Sequence, residues 1–191
     1  MTLQITQDEA ADEVLSTNAF ALLSGMLLDQ QFPMERAFAG PLKILDRFGT
    51  LDPDAIAAAA PEDFAAICAT PPAVHRYPGA MAARLQELAR HIVDVYDGRT
   101  ASLWQTAESG VDLLHRLLEL PGFGRQKAQI FVALLGKQLD VRPDDWREVA
   151  GPYGDEGSFR SVADVRDAAS LAKVRTFKKE QKAAAAAQPK A

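Results

Sequence analysis

The chain has little with which to form covalent or metal cross-links. Among 191 residues there is one cysteine, Cys68. A lone thiol excludes an internal disulfide, and it excludes an iron–sulfur cluster, which takes about four thiolates. Cys68 lies in an alanine-rich stretch and reads as a small buried hydrophobe. The three histidines, His75, His91 and His115, are far apart and show no metal-ligand spacing. Each reads as a surface or cap residue, so no metal site is expected. No apolar run approaches the length of a membrane span. Residues Met1 to Thr6 have neither the positive n-region nor the apolar h-region of a signal peptide, which makes the cytoplasm the expected location. No alternating strand pattern and no internal repeat appear.

What is present is helical. Hydrophobic residues make up 48% of the chain, enough for one substantial unit or two small lobes sharing a core. Asp8 to Leu15 reads as a short acidic helix, and Ala19 to Gln30 as a strongly apolar, buried one. Pro33 suits the first position of a helix running towards Phe38. Gly40-Pro41 breaks that helix, and Leu42 to Phe48 follows. Asp52-Pro53 and Pro61-Glu62 each resemble a helix start. A longer helix is expected from Pro78 to Val95, ended by Asp97-Gly98. Beyond Val141 the glycines and prolines mark turns, and a last helix is expected from about Val162.

The most distinctive string is Leu120-Pro121-Gly122-Phe123-Gly124-Arg125-Gln126-Lys127-Ala128. Apolar residues recur at helical spacing on both sides of it, from Val111 to Leu118 and from Ala128 to Leu135. Two glycines one residue apart let the backbone turn tightly and be approached closely. The unpaired N–H groups and positive dipole end of the second helix face the same way, which suits a phosphate. Arg125 and Lys127 add positive charge in the first turn. Two readings stand: a tight connection that binds nothing, or a phosphate cradle.

This string resembles the helix-hairpin-helix element of the glycosylase superfamily that contains endonuclease III, the adenine glycosylase MutY and the alkyladenine glycosylase AlkA. Ala21 to Phe32, with Leu28-Asp29-Gln30-Gln31, is similar to the family's early buried helix and its glutamine-bearing turn. His75 to Tyr96 is similar to the helix leading up to the hairpin. The resemblance covers roughly residues 19–145. It implies an all-α DNA-glycosylase-like fold, with residues 1–170 as one helical unit, the hairpin pair at 111–136 and a basic, alanine-rich tail at 171–191. It implies double-stranded DNA as partner, no membrane, a monomer, and a place on the nucleoid if the protein acts there. Leu120, Gly122, Phe123, Gly124, Arg125, Gln126 and Lys127 would contact DNA, together with Gln30 and Gln31. No iron–sulfur cluster is implied for this chain, while a monovalent cation at the hairpin is compatible with the family.

The chemistry implied by the resemblance is removal of a damaged base after the nucleotide leaves the stack. A carboxylate would stabilise positive charge on the sugar or activate water, as carboxylates do in sugar hydrolases. Counting along the family pattern reaches Asp144, and the Pro143-Asp144-Asp145 string selects Asp145 instead. Either could equally cap a helix containing Trp146 to Ala150. Arg147 next door would favour an ionised carboxylate there. The lysine nucleophile of the family's lyase branch has Gln126 in its place. Lys127, one residue on, is rotated by about 100° and is expected to face a phosphate or solvent. A glycosylase without lyase activity follows.

Gln30 and Gln31 either close the end of a buried helix or, as the family's matching glutamine does, enter the duplex. Trp146 is the candidate for a base pocket, with Trp104 and Tyr77 as other aromatics that could stack. From Leu171 onward six Lys or Arg face one acid, which leaves the rest of the chain at −10. That end is either a frayed, solvated tail or a tether to phosphates. Two rivals accompany the glycosylase reading: a DNA-binding module without chemistry, and a helical protein-interaction module.

Overall fold

The computed structural model describes residues 2–187, and every regular element among them is helical. In chain order these are α1 (Glu9–Thr17), α2 (Ala19–Leu28), α3 (Met34–Phe38), α4 (Gly40–Phe48), α5 (Pro53–Ala58), α6 (Pro61–Ala69) and α7 (Pro78–Tyr96). There follow α8 (Ser102–Gln105), α9 (Gly110–Leu118), α10 (Arg125–Gln138), α11 (Trp146–Ala150) and α12 (Ala168–Ala187). Two single 3₁₀ turns, Gly151–Gly154 and Val162–Asp164, lie between α11 and α12.

Local chemistry starts most of these helices. Asp8 accepts the Ala11 N–H at 2.9 Å, Asn18 accepts the Ala21 N–H at 2.8 Å, and Ser109 accepts the Asp112 N–H at 3.1 Å. Pro53, Pro61 and Pro78 open α5, α6 and α7, where a missing N–H costs nothing. Helix α2 is apolar all round, and every residue from Phe20 to Leu28 is buried. It packs against α1, α3, α4 and α7, while α5 and α6 lie on α7. In the second half α9, α11 and both 3₁₀ turns pack around α10. The buried side chains form one continuous core across both halves. Cys68 is in that core, and burial pushes its thiol up to about 12.

The C-terminal region departs from expectation. Val162–Asp164 is a 3₁₀ turn closed by reciprocal bonds between Ser161 and Asp164. The Asp164 carboxylate is turned inward to Lys137, 2.6 Å away, with both side chains nearly inaccessible. The extended backbone at Val165 ends the turn, and α12 begins only after Asp167 accepts the Ser170 N–H at 2.7 Å. The expected boundary at 170/171 falls inside α12. Leu171 and Val174 are buried, so the first turns of the supposed tail are part of the body. Ala183 to Ala187 extends the helix. The last part of the expected tail, residues 188–191 with Lys190, lies outside the described residues.

Candidate nucleic-acid interface

The hairpin between α9 and α10 is held by its own apolar residues. Leu120 and Phe123 are buried, and the Phe123 ring meets Phe131 edge-on at 6.3 Å. The Phe123 N–H donates to the Leu120 carbonyl across the turn at 3.1 Å. The sequence reading sets both residues against DNA. The structure buries their side chains, which anchor the turn in the core.

The two glycines do different work. Gly122 has φ +79°, and a Cβ there would sit 2.6 Å from Leu27 Cδ1 of α2. It is needed both for the left-handed turn and for close packing. Gly124 has open space where a Cβ would be, so its backbone can be approached without obstruction. Helix α10 then starts with no side-chain cap. No hydrogen bond among the described residues uses the N–H of Arg125, Gln126 or Lys127. Arg125 and Gln126 are exposed. Free donors, the helix dipole and a neighbouring cation together favour an anion.

Beside the hairpin opens a cleft of about 660 Å³. Its base is the end of α2 and the turn after it, with Asp29, Gln30 and Gln31. One wall is the start of α10, with Gln126 and Lys127, and the other is α12, with Lys178 and Lys182. Lys127, expected to face a phosphate or solvent, lines the cleft. Because the start of α10 sits on the end of α2, the amine reaches the Leu27 carbonyl and donates to it at 2.9 Å. Burial lowers its pKa to about 8, with Asp29 pulling the other way. Gln126, at the lyase-lysine position, donates to the Tyr153 hydroxyl at 2.8 Å.

The two glutamines separate cleanly. Gln30 closes α2: its amide donates to the Leu27 carbonyl at 2.8 Å, and its side-chain oxygen accepts from Arg84 at 3.0 Å. Its backbone carbonyl accepts from His75 Nε2 at 2.8 Å. Gln31 is exposed, on a left-handed backbone with φ +52°. That conformation is uncommon for a residue with a side chain, and it projects the amide away from the core.

His75 is a residue that sequence reasoning missed. Instead of lying at the surface it is 2% exposed, its ring tilted against that of Phe32 at 4.8 Å. Its Nδ1 accepts the Tyr77 N–H at 3.0 Å, so the proton is on Nε2, bonded to Gln30. Asp29 was also missed, although it stands in the quoted Leu28-Asp29-Gln30-Gln31 string. Its side chain is 11% exposed, and Lys178 Nζ lies 3.5 Å from its Oδ2. Among the described residues it is the one carboxylate lining this cleft.

Asp144 and Asp145 are elsewhere. Asp145 Oδ1 accepts the Gly110 N–H at 2.9 Å, and the Asp144 carbonyl accepts the same N–H at 2.8 Å. Gly110 is the first residue of α9, and the hairpin follows the last, so a helix length of about 13 Å separates them. Asp145 makes no side-chain cap to α11 either; its carboxylate serves the start of α9. Arg147 pairs with Glu156 at 2.6 Å rather than with these aspartates.

Trp146 is not in a base pocket. It is buried over Gly136, where a Cβ would be 2.4 Å from its ring, and Trp104 packs against Phe131 in the core. Of the three aromatics, only Tyr77 is exposed.

The family model described as HhH-GPD superfamily base excision DNA repair protein matches residues 24–187. The match runs past Asp145, where the recognisable resemblance ends, and takes in α11, both 3₁₀ turns and α12. No curated protein and no solved structure matches the chain.

Proposed function

The chain belongs to the HhH-GPD superfamily of base excision DNA repair proteins, and we propose that within it this protein is a monofunctional DNA glycosylase. The observation that carries the proposal is the adjacency of the hairpin's free N–H groups and a cleft holding one carboxylate, Asp29. The hairpin donors take a phosphate of the damaged strand. The nucleotide turned out of the stack enters the cleft, and Gln31 stands where the vacated space in the duplex would be.

Asp29 then faces the sugar. As the base departs, the carboxylate stabilises the positive charge on the sugar ring, and water completes the hydrolysis. Gln126 has no amine to form a covalent adduct and the Lys127 amine is engaged by the Leu27 carbonyl, so the sugar–phosphate chain is left intact. The one thiol, buried and protonated, offers no ligand set for an iron–sulfur cluster, and no step requires one.

The test is a panel of duplexes, each with one alkylated, deaminated or oxidised base. At least one should yield strand breaks only after alkali. Asp29→Asn should slow that reaction roughly 10²–10⁴-fold, while Asp144→Asn with Asp145→Asn leaves it within a few-fold. The opposite pattern returns the chemistry to Asp144 and Asp145. Strand breaks without alkali refute the monofunctional part and implicate the Lys127 amine. A negative panel with salt-sensitive DNA binding leaves a non-enzymatic DNA-binding module.

A further inference from the structure

The charge of the cleft is out of character with the rest of the molecule. The chain carries −5 overall, yet Arg76, Lys127, Lys178 and Lys182 line the cleft against one carboxylate. A second cleft, about 510 Å³, shares Gln126, Ile130 and Lys178 with the first and adds Arg160. The two form a continuous groove along α12. An acidic body with cations gathered in one concave strip focuses a positive potential there.

Helix α12 is fixed so that one of its ridges faces this groove. Val174 is fully buried, and Lys178 and Lys182 follow it at one-turn intervals on the same face. Arg175 pairs with Glu35 of α3, which pins the helix laterally. Lys173 points to a different face, over the Phe159 ring at 4.3 Å. Lys178 keeps 41% of its side chain exposed, and its contact with Asp29 is long, at 3.5 Å. Its ammonium is therefore available to a second anion. Lys178 and Lys182 are about 6 Å apart along the axis, close to the rise of two nucleotides in one strand, about 7 Å.

We propose that α12 is the second wall of the DNA interface, with Lys178 and Lys182 binding phosphates two nucleotides apart on the strand whose first contact is the hairpin. This rests on the DNA reading above and extends it: the hairpin alone grips one point, whereas hairpin and α12 together fix the strand's direction across the cleft. Lys178 then exchanges its long contact with Asp29 for a phosphate, which uncovers the carboxylate only when DNA is present.

The experiment uses the full chain and a duplex carrying a tetrahydrofuran abasic-site analogue, which needs no knowledge of the lesion. Binding is followed by fluorescence anisotropy from 50 to 300 mM NaCl. The variant Lys178→Gln with Lys182→Gln is compared with Lys173→Gln with Lys179→Gln, an equal charge change on other faces of the same helix. Thermal melting by circular dichroism checks that both stay folded. The groove variant should lose about 1.8 from the log–log salt slope, and about eightfold in affinity per lysine near 0.1 M salt. The control should lose less than half of either. Equal behaviour of the two variants overturns the proposal and leaves the hairpin as the DNA contact. A wild-type protein that does not bind at 50 mM salt overturns the DNA reading itself, and this proposal with it.

Discussion

Replacing Lys127 by methionine should stabilise the protein while weakening its function. The ammonium sits in the cleft at the end of α2, and burial brings its pKa from 10.5 to about 8. That difference corresponds to about 3 kcal/mol of unfavourable burial when the group is charged. Residual exposure of the side chain trims this figure. Methionine keeps most of the aliphatic stem and its packing. It loses the hydrogen bond to the Leu27 carbonyl, worth about 1 kcal/mol, but that oxygen still accepts from Gln30. The net gain near pH 7 is about 1–2 kcal/mol, or roughly 2–8 °C in Tm for a domain of this size.

The sign of the pH dependence makes this specific. Below pH 8 both folded and unfolded chains hold the proton, and the wild type bears the full cost. Between about pH 8 and 10.5 the folded state releases its proton and the unfolded state keeps it, so wild-type stability rises. The advantage of Lys127→Met should be complete at pH 7 and largely gone by pH 10. Urea denaturation at both pH values measures it. A variant less stable than wild type at pH 7, or one whose advantage is the same at both pH values, refutes the reasoning. The same substitution should weaken duplex binding, since it removes a cation beside the hairpin.

Three other substitutions test the placement of the remaining residues. Gly136→Ala puts a methyl 2.4 Å from the buried Trp146 ring and should cost about 1–3 kcal/mol in urea denaturation. Lys137→Met strands the Asp164 carboxylate, whose cation is 2.6 Å away in a dry environment, and should cost about 3–5 kcal/mol. Adding Asp164→Asn should recover part of that loss in a double-mutant cycle. Asp145→Ala removes the bond to the Gly110 N–H and a side chain tolerant of left-handed backbone. It should cost about 1–2 kcal/mol in thermal melting and leave duplex affinity within twofold.

Several features were legible because their causes are local. Helix α2 starts at Ala19, where its apolar run begins, and prolines at helix starts punctuate α5 to α7. The Gly122–Gly124 turn is equally local: φ +79° at Gly122 follows from the residue type and its neighbours. The family could be recognised for the same reason, since the hairpin is one unbroken string. Where side chains of equal promise stood close together, pattern alone did not separate them. Gln30 and Gln31 are adjacent, yet one is clamped by His75, 45 residues away, and the other is free. Asp144 and Asp145 looked like a site because they fall at a plausible count after the hairpin. A count along the chain carries no information about which end of α9 the segment folds against.

By itself the sequence determined most of the helices, the hairpin and the family, because i-to-i+4 bonding, capping and turn geometry depend on residues within one or two turns of each other. Tertiary structure alone decided that Lys127 enters the cleft, that Asp29 is the carboxylate there, that Trp146 belongs to the core and that α12 closes the groove. Each of those depends on how helices far apart in sequence stack. A rotation of one residue on α10, or a change in where α12 docks, would reassign them without altering any local pattern.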